Sequence, residues 1–271
     1  RAQAALGTRL PSVARAQATL VFYRGEFDEA RRHAQEWVEL ARASGDAGEL
    51  AHALLMLGGA LQITEPTLDA ASAAVDEAVR VARAAGIDTA LAIGLLLVSI
   101  WLPYEESERA LGLLDEAIEI GTRIGDRSGV SNAMAAKARI AMRRGDWPTA
   151  LQGAVDAAEQ TLEHGDHGVA SRSLYTAGVA LCALGSCEPA AVLFGKSDAM
   201  AGRWGLDWSL EMLTATEVAL LEALGEQQVA TLAAQGAALD ITDTVAYLHT
   251  EADRALAAPE YGDKTLIRQP R

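Results

Sequence analysis

Apolar side chains return every three or four residues along this chain and stop at glycines. Before the stretch Arg144-Gly145-Asp146-Trp147-Pro148-Thr149-Ala150 they fall at Ala135, Ala138, Ala141 and Met142; after it they fall at Leu151, Ala154, Val155, Ala158 and Leu162. Such spacing lines one face of a helix, so the pattern predicts two amphipathic helices joined by a tight turn. The turn residues fit that reading. Gly145 suits a left-handed helix end, Asp146 a cap on the next helix, and Pro148 a first-turn position where its missing N–H costs nothing.

The arrangement recurs. From Ala150, steps of forty residues reach Ala30, Ala70, Ala110, Ala190 and Ala230, and twelve residues before these six alanines stand Ala18, Gly58, Val98, Ala138, Gly178 and Val218. Copies end in Gly45-Asp46, Gly86-Ile87-Asp88, Gly125-Asp126, Gly165-Asp166 and Gly205-Leu206-Asp207, where glycine closes one helix and aspartate is placed to cap the next. A fixed period of this kind predicts a stacked helical repeat. Helix axes about 8 Å apart require small side chains at the crossing, a role expected of Ala138 and Ala150.

Taken in order, repeat 1 is expected over residues 11–45, with residues 1–9 the tail of a preceding helix. Repeat 2 covers 46–86, with Pro66 stopping its first helix and Thr67 capping its second; repeat 3 reaches Gly125 through a similar stop at Leu102-Pro103-Tyr104. Repeat 4 turns at Gly145, and repeat 5 at Leu184-Gly185-Ser186-Cys187-Glu188-Pro189. Repeat 6 starts near Asp207 and turns at Gly225, and Gly236 is expected to interrupt its second helix after about ten residues. A further helix over 241–256, opened by Asp240 or Thr242, is out of register and is expected to cap the array.

Composition narrows the class. Half of the 271 residues are hydrophobic, only 5% are aromatic, and strand-type alternation is not sustained. The expectation is an all-α chain, an α-α superhelix of about six helix pairs plus a capping helix, forming one solenoid over residues 1–256 with a tail at 257–271. A net charge of −14 argues against a nonspecific nucleic-acid surface, which needs clustered cations. The most apolar run, residues 90–102, is shorter than the roughly 20 residues that a membrane helix needs, so it reads as a buried helix. Cys182 and Cys187 do not make a secreted disulfide framework, which points to the cytoplasm. The start at Arg1 in mid-pattern suggests a segment of a longer protein.

A small residue, a turn and an alanine twelve positions on resembles the tetratricopeptide repeat, most closely at Gly58 to Ala70 and Gly178 to Ala190, although the period here is 40 rather than that family's 34. The closing stretch, Leu220-Leu221-Glu222-Ala223-Leu224-Gly225 followed by Gly236-Ala237-Ala238-Leu239-Asp240-Ile241-Thr242-Asp243-Thr244-Val245-Ala246, is similar to the end of the helical region in bacterial MalT-like LuxR regulators and adenylyl-cyclase-like signalling ATPases. The resemblance implies a right-handed superhelix that senses a ligand or partner and restrains an ATPase, with a cyclase-like or DNA-binding domain as output. Neither a GxxxxGK[ST] phosphate loop nor a helix-turn-helix after residue 256 occurs in this chain, so those activities are expected in other domains of the parent protein.

Candidate chemistry is sparse. His164 and His167 flank Gly165-Asp166 but straddle a predicted helix break instead of sharing a face, so solvated turn residues are expected and no metal. Cys182 and Cys187 lie five apart across a turn where they could approach, and buried or half-buried thiols are expected ahead of the alternative, a redox switch. Trp204 and Trp208 bracket the Gly205 turn, where packing between repeats is the ordinary explanation. No serine-nucleophile context and no cofactor-binding pattern are present, so catalysis and a cofactor are not expected.

In the tetratricopeptide family the first helix of each pair lines the concave groove. Carrying its ligand-facing positions across by register selects Arg15, Thr19, Tyr23, His52, Gln62, Asn132, Arg139, Arg143, Arg172 and Tyr175. The arginines would form a cationic strip in an acidic protein, suited to carboxylate or phosphate. The expected function is a non-catalytic regulatory module that binds a protein or peptide partner, or a small anionic effector. A structural scaffold for self-association or assembly is the alternative. Direct nucleic-acid and membrane contacts are not expected.

Overall fold

The computed structural model describes residues 10–201 and 210–257. The expected helix tail at 1–9, the Gly205-Leu206-Asp207 turn with Trp204 and Trp208, and residues 258–271 lie outside them. Every regular element among the described residues is helical, which makes the chain an all-α helical-repeat protein. It divides into two compact units, residues 1–129 and 130–271.

The first unit contains α1 (Pro11–Tyr23), α2 (Phe27–Ser44), α3 (Ala47–Thr64), α4 (Asp69–Ala85), α5 (Asp88–Trp101), a short 3-10 turn (Tyr104–Glu106) and α6 (Ser107–Ile124). Consecutive helices pack against one another. The division falls just inside α7 (Arg127–Arg143), and α8 (Trp147–His164), α9 (His167–Ala183), α10 (Cys187–Ala201), α11 (Leu210–Leu224), α12 (Glu226–Ala238) and α13 (Ile241–Ala257) follow.

The adjacent glycine-aspartate pairs work as their chemistry demands, but at Gly86-Ile87-Asp88 the inserted residue shifts the register, so Ile87 takes the cap position without a side-chain bond and Asp88 is the first residue of α5. Gly165 is left-handed at φ 75°, and the Asp166 N–H reaches back 3.0 Å to the Thr161 carbonyl to close α8. The Asp166 carboxylate then accepts from the Val169 N–H at 3.1 Å to open α9. Asp46, Asp126 and Asp146 accept in the same way from the N–H groups of Glu49, Gly129 and Thr149. Asp166→Ala is expected to cost about 1 kcal/mol, the usual worth of such a cap, in a denaturant melt.

The alanine ladder is only partly a burial ladder. Ala30, Ala110, Ala150 and Ala190 are buried, and each is the fourth residue of its helix. Ala70 and Ala230 are exposed. After Pro66 ends α3, α4 starts only at Asp69 with Leu68 at its cap position, so Ala70 is rotated outward and Ala71 takes the buried place. Thr67 is therefore not the cap; its hydroxyl donates to the Asp69 carboxylate at 3.2 Å.

The small residues twelve positions earlier make close helix crossings in three repeats. A Cβ on Gly58 would lie 2.5 Å from Val75, one on Gly178 would lie 2.8 Å from Phe194, and Gly153 offers its bare face to Ala138 at 3.2 Å. Val98 is half-buried and Val218 exposed, so those two copies do not cross there. Ala150 is fully buried among Leu151, Ala154 and the α9 core residues. Ala150→Leu is expected to lower stability by about 1–3 kcal/mol through overpacking, and an unchanged melting temperature would count against this packing.

The sixth copy departs most from the pattern. Gly236 does not interrupt α12. It sits buried in the helix, where a Cβ would meet the Val192 carbonyl oxygen of α10. Asp240 caps α13 through the Asp243 N–H at 2.8 Å, as expected. However, α13 lies mainly against α8 and touches α10, burying Leu248, Ala252 and Ala255, instead of closing over α11 and α12. His249 meets Glu159 of α8 at 3.4 Å.

A candidate anion site on α7 and α9

In the second unit, Asn132, Arg139 and Arg143 follow one another on α7 at intervals of seven and four residues, which sets them along one helix face. Arg172 and Tyr175 occupy the corresponding face of α9, the first helix of the next repeat. The two helices are joined there, since Arg172 Nη2 donates to Asn132 Oδ1 at 2.9 Å across a separation of 40 residues, one repeat. Arg172 also lies over the start of α9: a Cβ on Gly168 would come within 3.9 Å of Nη1, and the Asp166 carboxylate favours its charge.

The electrostatics of this cluster run against the charge it carries. Burial, followed by the positive charges of Arg172 and Arg143, pulls the Arg139 guanidinium down to about 10. Burial also lowers Arg172, and Asp166 only partly opposes it. Arginine stays protonated at any physiological pH, so these shifts reflect mainly the removal of both guanidiniums from water and, at Arg139 alone, the positive potential of its neighbours, not loss of a proton. An anion entering the cluster would relieve that potential and meet planar, forked donors. Beside the arginines, the half-buried Tyr175 ring packs 5.2 Å from Phe194, which fills the space above Gly178.

The residues selected in the first unit have a different setting. Arg15 pairs with Glu49 at 3.0 Å, and the other oxygen of Glu49 accepts from Trp37 Nε1 at 2.7 Å, so Glu49 ties three helices together. His52 Nδ1 lies 2.8 Å from the Gly48 carbonyl, and its Nε2 lies 3.4 Å from Thr89. Thr19 and Gln62 are half-buried, and Tyr23 is exposed with its ring edge-on to Phe22. The ten positions therefore do not share one environment. Arg139, Arg143 and Arg172 with Asn132 and Tyr175 are the part that gathers positive charge.

Sequence reasoning missed Asp166 and Gly168 as parts of this cluster. The signal was present, because Asn132 and Arg172 differ by one period and so stand side by side in neighbouring repeats. Elsewhere, His164 and His167 are exposed on either side of the α8–α9 break. Among the described residues no group of three or more His, Cys, Asp or Glu side chains could hold a metal ion. No described helix is long and apolar enough to cross a membrane.

No protein-family model matches the chain, and no curated protein matches it closely enough to count as a relative.

Proposed function

We propose that this chain is a non-catalytic binding module whose α7–α9 arginine cluster takes an anionic ligand, either an acidic segment of a protein partner or a small anionic effector. The observation that carries the reading is the grouping of three arginines on α7 and α9, Arg139 and Arg172 half-buried and Arg143 exposed, in a protein of net charge −14. The planar, forked guanidinium matches carboxylate and phosphate geometry, so an anion of that kind is the ligand the cluster suits. The likeness to the helical regions of bacterial signalling ATPase regulators supports a cytoplasmic setting and a regulatory role beside ATPase, cyclase-like or DNA-binding domains.

The test is thermal denaturation at constant ionic strength with chloride replaced by phosphate or by an aspartate- and glutamate-rich peptide. Saturating ligand is expected to raise the melting temperature, with the stabilisation growing as ligand exceeds its dissociation constant. Equal melting temperatures in all three conditions would remove the basis for the reading.

Self-association as a scaffold is the second reading. Its support is the exposed apolar side chains Leu10, Val13 and Leu20 on and just before α1. Light scattering across protein concentrations separates the two: a monomer that responds to anions favours sensing, and ligand-blind oligomers favour scaffolding.

A further inference from the structure

Cys182 lies in the last turn of α9 and Cys187 is the first residue of α10. Their sulfurs are 3.6 Å apart. The approach is held by the backbone, since the Gly185 N–H donates to the Cys182 carbonyl at 3.0 Å and the Ser186 N–H to that of Leu181 at 2.8 Å. Gly185 takes the left-handed conformation, at φ 88°, that folds the turn back on itself.

The two thiols are unequal. Cys187 retains 7% exposure and Cys182 none, so an oxidant reaches Cys187 first. The hydrogen bond donated by Cys182 brings the Cys187 thiol down to about 7, and the N-terminus of α10 favours its thiolate further. Donating that hydrogen bond, together with burial, pushes the Cys182 thiol up. Both thiols are buried, and of the two Cys187 is the slightly more accessible and the readier to ionise, with Cys182 its protonated partner 3.6 Å away.

We propose that Cys182 and Cys187 form a reversible oxidation site, at which a peroxide converts the pair to an intramolecular disulfide across the α9–α10 turn. The Cys187 thiolate attacks one oxygen of hydrogen peroxide, the O–O bond breaks and hydroxide leaves, so the sulfur becomes a sulfenic acid as the peroxide is reduced. The Cys182 sulfur then attacks that sulfur and gives up its proton; the S–S bond forms, the S–O bond breaks, and water departs. With the proton that Cys187 lost at the outset, two thiols and one peroxide yield one disulfide and two waters. Among the described residues no third His, Cys, Asp or Glu joins the two sulfurs, which suits this two-electron step better than a tetrahedral metal with its four donors.

The experiment treats the full chain with one equivalent of hydrogen peroxide at neutral pH and follows intact mass and alkylatable thiols. A loss of about 2 Da is expected, with both thiols disappearing together and returning with dithiothreitol. Dimedone should trap no adduct on the wild-type chain, because Cys182 resolves the sulfenic acid, and should label Cys187 in Cys182→Ser. If that variant does not fold, the wild-type measurements decide alone. A dimedone adduct or a gain of about 32 Da at Cys187 with Cys182 still alkylatable would overturn the proposal. So would disulfide-linked dimers, or an unchanged mass under about tenfold excess peroxide.

Discussion

Gly195→Ala and Gly236→Ala are each expected to lower stability by about 3 kcal/mol or more, at or beyond the upper end of ordinary overpacking. The reason is what each new methyl would strike. A Cβ on Gly195 would lie 1.9 Å from the Ala233 carbonyl oxygen, and one on Gly236 would lie 1.8 Å from that of Val192. Both obstacles are helix backbone, so no side chain can rotate away and α10 and α12 must separate. For a unit of this size the cost corresponds to a fall in melting temperature on the order of 10 °C. Gly112→Ala is the control, because this exposed helical glycine has nothing within 4 Å of its missing Cβ. It is expected to gain about 0.5–1 kcal/mol from helix propensity. Equal small effects at all three sites would mean that α10 and α12 do not cross there.

That crossing marks where the periodic pattern stops describing the molecule. A forty-residue interval counts positions, whereas burial depends on the phase of each helix, which advances about 100° per residue from wherever the helix starts. Where the helix starts three residues before the alanine, as at Ala110, Ala150 and Ala190, count and phase agree and the alanine is buried. Where the break is differently placed, as around Pro66 and Gly225, the alanine turns outward even though the interval is kept. The glycine-aspartate stops were legible because they act locally, one residue ending a helix and the next capping its successor. The docking of α13 on α8 was not legible. It depends on Leu248, Ala252 and Ala255 finding a surface some ninety residues earlier in the chain, and no local signal carries that. In the candidate site, register alone selected arginines in both units. It could not say that Arg15 would meet Glu49 while Arg139 and Arg172 would face one another.

Arg139→Ala combined with Arg172→Ala is expected to abolish the phosphate- and peptide-induced rise in melting temperature and to weaken binding on the order of a hundredfold, since each charge-assisted contact is worth about 1.5–3 kcal/mol. The unliganded double variant loses the Arg172–Asn132 hydrogen bond between α7 and α9 along with the repulsion between the two guanidiniums, so the anion-induced rise is read against that variant's own unliganded melting temperature. The pH dependence follows with its sign. Arg139 is held below its ordinary value, so the fold disfavours its charged form; that penalty is complete below about 10 and declines only as pH rises beyond it. Anion stabilisation measured between pH 7 and 9 should therefore show no step from this arginine. Asp166 supplies the opposing control. Asp166→Asn keeps an oxygen that can accept the Val169 N–H but removes the charge favouring Arg172, so it is expected to tighten anion binding with little change in stability. Asp166→Ala should tighten binding too, while losing the cap. If Asp166→Asn weakened binding, or if the double variant bound phosphate and the acidic peptide as wild type does, the arginines would be packing elements of the repeat and the ligand would have to be sought elsewhere on the molecule.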